Sequence, residues 1–542
     1  MNRTYDPAEE FQDRSFPKAG VDQSDAYWRQ PARPAGGGSY FSSTRYAANV
    51  RAASGGQVRL VGGSRCGLAR FVTNRVSGER FIVQELASLY TASDTVPQYS
   101  ASGRLIQVVA VSQGEVYLAE PGDTIWVIAD NITGETPPLN VTGVVFSAQN
   151  NQKLWFVDGT NYVWYNPVNG TVNLWTLTAG TLPEDEDGNK ARLICTWRGR
   201  TVLSGLLLDP QNIFFSAVSD PNDFDYSPAE ESQTQAVALN LSDLGLIGEP
   251  VMSLCPCGDD VLLVFCSSSV FALRGDPAAG GQVDRVSDSI GSVWGVPWAK
   301  DAAGWVYFFS NRTGIYKMAP TGTSPPVKIS SAIDQYLQDL DTGTTHVRMA
   351  WDDRFETLHV FLTDLREPTA TRHLAYEAPN ERRPGAWWFD AFKNEDFDPL
   401  CCCTLDGNEP ENRVVLIGSW DGYVRFFDRT ATTDDRFDIE SEVWIGPMLT
   451  QNMDEILLKN LQAVLAEGSG DVTYSVHVGR SAQEAFESEP FLDGTWQAGR
   501  GLSEAIQAAG HAIYVKLTAT NPWQLEQIRA RVSTTGMVRR QG

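Results

Sequence analysis

The stretch "VMSLCPCGDDVLLVFCSSSVFALRGDP", residues 251–277, decides the fold. It holds three apolar runs, "VMSLC" (251–255), "DVLLVFC" (260–266) and "SVFALRG" (269–275), separated by polar pieces too short to be elements. Runs of this length, rich in Val, Leu and Phe and bounded by Gly, Asp and Ser, read as β-strands joined by hairpin turns. The last two form a hairpin, and the first is a strand that precedes it.

The same pattern recurs on both sides. Toward the N-terminus lie the pairs "IQVVAVS"/"GEVYLAE" (from 106 and 114), "KLWFVDG"/"NYVWYNP" (153, 161) and "RTVLSGL"/"NIFFSAV" (200, 212), the last preceded by "LICTW" (193–197). Toward the C-terminus follow "GWVYFFS"/"GIYKMAP" (304, 314), "ETLHVFL"/"HLAYEAP" (356, 373) and "RVVLIGS"/"GYVRFFD" (413, 422). A period of roughly 45 to 60 residues is that of a propeller blade. A single twisted blade cannot cover both of its faces, whereas a ring of blades covers them mutually and leaves only short edges. The chain is therefore expected to be all-β. It should hold a β-propeller of about seven blades over 61–438, with six to eight left open by the irregular first and last units.

In "SAIDQYLQDL" (331–340), Ile333, Tyr336, Leu337 and Leu340 fall at i, i+3, i+4 and i+7, which predicts a short packing helix with Ser331 at its N-cap. From about 440 the pattern changes to strict alternation. "DVTYSVHVG" puts Val472, Tyr474, Val476 and Val478 on one face and Thr473, Ser475 and His477 on the other. "AIYVKLTA" and "QIRARVS" alternate through Ile513, Val515 and Leu517, and through Ile528, Ala530 and Val532. "EILLKNLQAVLAE" (455–467) is ambiguous by period and is read as strand. Residues 439–542 are thus expected to form a C-terminal β-sandwich. Residues 1–60, with "PARPAGGGS" at 31–39, are expected to be an irregular extended arm and linker, either a loose terminus or an arm that orders on a partner.

Composition narrows the function. The net charge of −24 opposes ordinary nucleic-acid binding and docking on anionic membranes. It is compatible with an acidic wall that DNA passes without sticking, because like charges repel. No apolar run approaches the roughly 18 residues of a membrane helix, so no membrane insertion is expected, and no signal peptide is visible. Eight scattered or clustered cysteines do not make a secreted disulfide framework and are expected as reduced thiols.

Candidate chemistry is sparse. Asp220, Asn222, Asp223 and Asp225 in "SDPNDFDY" place oxygens close together, but an EF-hand wants Gly at its sixth position, where Asp225 stands. The stretch reads as a turn. The acidic run 183–189 reads as a solvated loop. "CPC" (255–257) and "CCC" (401–403) lack zinc-knuckle spacing. In a strand Cys401 and Cys403 share a face that Cys402 does not. His346, His359, His373, His477 and His511 sit in no metal motif, and no G-x-S-x-G elbow is present. "SWDGYVRFF" (419–427) and "FLDGTW" (491–496) depart from the Asp box of sialidase-like blades. Trp-Asp pairs at 351–352 and 420–421 do not recur with a WD40 period. No catalytic, cofactor-binding or metal-binding residue is assigned, and no enzyme is expected.

Several stretches together resemble a family. "IFFSAVSDPNDFDY" (213–226), followed by "MSLCPCGDDVLLVFCSSSVFALRGDP", is similar to the mid-chain region of tail hub, or nozzle, proteins of short-tailed bacteriophages, also called packaged-DNA stabilisation proteins. "VSDSIGSVWGVPWAKDAAGWVYFFSNRTGIYKM" (286–318), "ISSAIDQYLQDL" (329–340) and "SEVWIGPMLTQNMDEILLKNLQAVLAEGSGDVTYSVHVGRS" (441–481) continue the resemblance. It covers about 191–340 and 441–535. The resemblance implies a virion tail protein, assembled in a bacterial host's cytoplasm, without catalytic residues. It implies a homo-oligomer, a sixfold ring below portal and adaptor proteins, that extends the DNA channel, retains packaged DNA and anchors a needle, plug or spike. Two alternatives stand beside it: a receptor- or glycan-binding propeller, with 16 tryptophans as sugar platforms, and a propeller glycoside hydrolase with a hidden carboxylate pair.

Overall fold

The structure, a computed structural model, describes residues 9–14, 16–24, 26–27, 30, 33–34, 40–52, 62–92, 104–230, 232–241, 249–312, 314–366, 372–380, 385–393, 395–407, 409–449, 454–503 and 506–534. Seven antiparallel meanders follow one another along the chain and form the blades of a β-propeller. Blade I is Val83–Ala92, Arg104–Ser112, Glu115–Ala119 and Val127–Ile128; blade II is Phe146–Asn150, Lys153–Val157, Tyr162–Asn166 and Thr171–Leu174. Blade III is Leu193–Trp197, Arg200–Ser204, Asn212–Phe215 and Val237–Asn240; blade IV is Val251–Cys257, Val261–Cys266, Val270–Arg274 and Gln282–Ser287. Blade V is Trp298–Lys300, Val306–Ser310, Gly314–Met318 and Val327–Lys328; blade VI is Thr345–Asp352, Thr357–Asp364, Arg372–Glu377 and Ala386–Asp390.

Blade VII takes three strands from the end of the propeller, Pro399–Asp406, Arg413–Ser419 and Val424–Asp428. Its fourth, Gly67–Arg70, comes from before blade I and pairs antiparallel with Val424–Asp428. The strand that precedes the first blade thereby finishes the last one. The innermost strands of blades VII and I pack side by side, which closes the ring. Each repeated pair read from the sequence is the second and third strand of a blade. These strands are covered on both faces by neighbouring blades. Val261–Cys266 is buried at every position, which is why it reads as an unbroken apolar run rather than an alternating one.

The C-terminal region is a β-sandwich. One sheet holds Ile456–Leu465 and Gln524–Thr534, with Gly499–Ser503, Ala508–Gly510 and pieces from the N-terminus. The other holds Ser441–Met448, Ala512–Ala519, Val472–Gly479 and Leu492–Trp496. Leu458, Leu461, Ala463, Val476, Val515, Ile528, Ala530 and Val532 fill the space between them. "EILLKNLQAVLAE" is strand, as expected. His477, expected on the polar face, is buried instead, because the helix Ala482–Glu487 lies over that face and its Phe486 packs on Trp444.

The second sheet of the sandwich does not end at the sandwich. Ala47–Ala48 pairs in parallel with blade VI through Phe389 and antiparallel with Ser441–Met448 through Val443. A two-residue strand thus joins propeller and sandwich into one nine-stranded sheet. This corrects the expectation for residues 1–60. They are irregular, but their described part is built in rather than loose. Glu9–Arg14 pairs with Gln524–Thr534, Gly20 bridges to Trp387, Val21 to Thr44, and Phe16, Val21 and Val50 are buried in the shared core. Gly20 has φ of 69°, and a Cβ there would lie 2.6 Å from the Trp387 carbonyl oxygen, so only glycine fits. Of 31–39, Arg33–Pro34 forms a hairpin strand with Tyr40–Phe41; residues 35–39 lie outside the described residues.

The expected helix at 331–340 is shorter than its apolar spacing. A 3-10 turn, Ser331–Ile333, leads into a single α-turn, Asp334–Leu337. Its apolar face is right: Ile333 and Leu337 are buried, and Tyr336 stacks on Phe389 at 4.2 Å. Ser331 does not cap it. Ser330 precedes the turn, and its hydroxyl accepts the backbone N–H of Ile315 at 3.0 Å. Among the described residues no helix is long and apolar enough to cross a membrane.

Candidate functional site

A buried polar constellation sits where the N-terminal segment, blades VI and VII and the sandwich meet. Asn49 has φ of 56°, a left-handed conformation that asparagine tolerates. That turn aims its side-chain amide at three parts of the molecule. Nδ2 donates to the carbonyls of Ala391 (2.9 Å), at the end of blade VI, and Glu440 (2.7 Å), at the start of the sandwich. Oδ1 accepts from Ala391 N and Arg65 Nε, both at 2.9 Å. Arg65 then grips Asp434 with both terminal nitrogens, at 2.8 and 2.6 Å. Arg51 pairs with Asp390 at 2.7 Å. Burial would lift the Asp390 carboxyl, but Arg51 and Arg65 hold it below the usual carboxylate range. Every charge in this chain of contacts meets an opposite charge, so the desolvation cost is offset.

His359 lies beside this network, its ring stacked on Phe427 at 4.5 Å. Burial pushes it down to about 4, so it is neutral. Its ring nitrogens have no hydrogen-bond partner among the described residues. They border a cavity of about 20 Å³ that Arg51, Cys66, Thr357 and Glu377 also line, room for one water.

Side chains bridge the innermost strands of blades VI, I and II. Arg348, on the innermost strand of blade VI, reaches past blade VII and donates to Glu85 of blade I at 2.7 Å. Its guanidinium lies 4.8 Å over the Phe146 ring of blade II, and Glu85 accepts from the Ser147 hydroxyl at 3.0 Å. Arg348 also donates to His346 Nε2 at 3.2 Å, and burial followed by that positive neighbour brings His346 down to about 3. Burial raises Glu85 despite Arg348.

Between propeller and sandwich lies an open cleft of about 650 Å³. Thr518, Thr473 and Thr495 stand opposite one another on three adjacent strands, with Glu442 next in the row. Asp438, Glu440 and Asp471 stand on its walls.

The motifs singled out in the sequence disperse. Asp220, Asp223 and Asp225 accept the backbone N–H groups of Asn222, Asp225 and Ser227 at 2.9, 2.9 and 3.0 Å, a run of side-chain turns. Asp185 likewise organises its loop, accepting from Asp187, Asn189 and Leu208. Cys401 and Cys403 face the core shared with blade I, while Cys402 faces the opposite one, as strand alternation requires. Cys255 and Cys257 share a face with sulfurs 4.0 Å apart. His373 pairs with Asp398 at 2.9 Å. His477 lies under its helix, with Nδ1 bonded to Ser488 O at 2.7 Å. Among the described residues, no three His, Cys, Asp or Glu side chains are placed to hold a metal ion. The residues that sequence reasoning missed are Asn49, Arg51, Arg65, Asp390 and Asp434, because single polar or charged residues scattered along a chain look like surface.

No family model matches the chain, and no curated protein does. Solved structures do. YCF48 from Cyanidioschyzon merolae is 9% identical, covering 67% of this chain and 98% of its own, with a TM-score of 0.39. The extracellular domain of BT4673, a putative hybrid two-component system from B. thetaiotaomicron, is 10% identical, covering 81% and 54%, with a TM-score of 0.42. PorZ, a surface component of the type-IX secretion system of Porphyromonas gingivalis, is 14% identical, covering 70% and 43%, with a TM-score of 0.35. The propeller assignment rests on the sheet order described above.

Proposed function

We propose that this chain is a structural, non-enzymatic hub of a short phage tail: a ring-forming nozzle that extends the DNA channel, retains packaged DNA and anchors distal tail parts. The observation that carries the reading is the weld. A propeller and a sandwich that share one continuous sheet, stitched by buried ion pairs, form a single stiff body of the kind a load-bearing conduit needs. The sequence resemblance over 191–340 and 441–535 supports the same reading. In this reading the passage runs between copies around a common axis. The net charge of −24 is compatible with channel walls that repel phosphate.

The test is to delete the gene and examine the particles. Particles that package DNA but leak it, and lack the distal tail, are expected. Full, stable particles that only fail to adsorb would overturn the hub and favour the second reading, a receptor- or glycan-binding propeller. The observation behind that second reading is the hydroxyl-rich cleft at Thr473, Thr495 and Thr518. Binding of host-surface polysaccharide to the purified chain, lost in Thr473→Val, is its signature.

A further inference from the structure

We infer that Cys255 and Cys257 form a dithiol site for a soft, thiophilic monovalent cation of the Cu(I) class, set in the seam between blades IV and V. The site stands apart from the hub reading and does not depend on it.

Both cysteines lie on Val251–Cys257, the innermost strand of blade IV. They are two residues apart, so strand alternation puts them on one face, together with Ser253. That face turns toward blade V. Trp298 Nε1 donates to Ser253 Oγ at 3.1 Å, and Lys300 Nζ donates to the Pro256 carbonyl at 2.9 Å. Cys255 is sealed among Phe265, Val270, Phe308 and Met318. Cys257, the last residue of the strand, is 9% exposed, and Gly258 and Asp259 beside it are exposed. Solvent therefore reaches the pair from the strand's end.

The spacing of the sulfurs selects what they can hold. They lie 4.0 Å apart, whereas a disulfide needs about 2.05 Å. Cys255 pairs with Leu263 and Cys257 with Val261 in the ladder to the next strand. That pairing keeps the backbone extended and opposes drawing the sulfurs together. One ion between them fits without such movement, because two metal–sulfur bonds of about 2.3 Å at about 120° span about 4.0 Å. Zinc wants four ligands, and among the described residues no third His, Cys, Asp or Glu joins the pair. Soft thiolates favour Cu(I), which two sulfurs satisfy while a third position stays open to a small thiol or chloride from solution.

Charge favours the same occupant. Binding releases the two thiol protons to solvent and leaves a bis-thiolate complex with one negative charge. The Lys300 ammonium beside the sulfurs balances it. The hydrogen bond from Cys255, helped by Lys300, already brings Cys257 below the ordinary thiol range despite burial, which supplies the first thiolate.

The experiment adds Cu(I), as its bicinchoninate complex and without oxygen, to the reduced full chain. Wild type is expected to take one equivalent from the competitor, and Cys257→Ser to bind it roughly 100-fold more weakly. Lys300→Gln, which keeps both sulfurs, is expected to weaken binding roughly 10-fold. Cys403→Ser is expected to bind as wild type does. In the loaded wild-type chain Cys257 is expected to resist iodoacetamide, a readout that needs no variant to fold. Wild type that leaves Cu(I) with the competitor would overturn the site. So would loaded wild type whose Cys257 alkylates as fast as before loading. An equivalent kept in Cys257→Ser and lost in Cys403→Ser would place the ion at 401–403 and overturn the assignment as well.

Discussion

Arg65 and Asp434 are 369 residues apart in sequence and meet through two hydrogen bonds, at 2.8 and 2.6 Å, with both side chains sealed from solvent. Arg65 follows the first strands of the N-terminal segment, and Asp434 follows blade VII. Their contact ties the start of the chain to the end of the propeller at the point where the sandwich departs. Burial alone would weaken the guanidinium's charge, but Asp434 and Asp390 raise its pKa further than burial lowers it.

Removing one partner is therefore expected to cost more than removing both. Arg65→Met strands the Asp434 carboxylate in the interior and should destabilise by about 3–5 kcal/mol. The double variant Arg65→Met, Asp434→Leu leaves no orphan charge and should recover most of that. Urea denaturation followed by tryptophan fluorescence measures both. A double variant as unstable as the single would mean that the pair contributes geometry rather than charge balance.

Truncation should fail far more severely than the look of the N-terminus implies. Deleting residues 1–70 removes the fourth strand of blade VII and the Ala47–Ala48 weld. It exposes the edge of Val424–Asp428 and one side of Ser441–Met448, and bare edges template aggregation. The truncated chain is expected in inclusion bodies or as soluble aggregate on size exclusion. A monodisperse product would show that blade VII is stable with three strands.

The contrast between what the sequence revealed and what it hid has a physical cause. Strands such as Val261–Cys266 and Thr357–Asp364 lie in the body of a blade, so nearly every side chain is apolar and the run is visible. Outer strands such as Val327–Lys328 and Val127–Ile128 have two residues each and carry no period. Ala47–Ala48 is shorter than any pattern that periodicity can detect, and its partners are more than 300 residues away. Glycine, alanine and proline around it imitate a linker. Asn49, Arg51 and Asp390 look like surface residues until the fold surrounds them. The turn at Asp220–Asp225 was legible because its chemistry is local.

The cysteines should be protected by the fold in an uneven way. Burial pushes Cys66 up to about 11 and Cys195, Cys266 and Cys402 up to about 12, so at pH 8 roughly a thousandth or less of each is thiolate. Cys257 goes the other way, lowered by the hydrogen bond from Cys255 and by Lys300 against the effect of burial. Iodoacetamide at pH 8, read by peptide mass spectrometry, should label Cys257 first in the native protein and all eight cysteines after urea. Rapid native labelling of Cys195 would show that blades III and IV part readily.

Acid should loosen the molecule well above the range of its carboxylates. His359 and His346 are buried and neutral, at about 4 and about 3, whereas each takes up a proton near 6.5 once unfolded. A depressed histidine favours the folded state fully above about pH 6.5, and that contribution is lost as pH falls below it, because the unfolded chain binds protons that the fold refuses. At pH 4.5 the two together cost on the order of 5 kcal/mol. Glu85, whose folded pKa is raised by burial, works with the opposite sign and offsets part of this. The urea midpoint at pH 4.5 is therefore expected well below that at pH 7.5. In His359→Phe, whose ring would keep the stack on Phe427, the midpoint should fall less steeply with pH. Equal slopes for the variant and wild type would place the acid sensitivity elsewhere than in the seam beside Arg51 and Asp390.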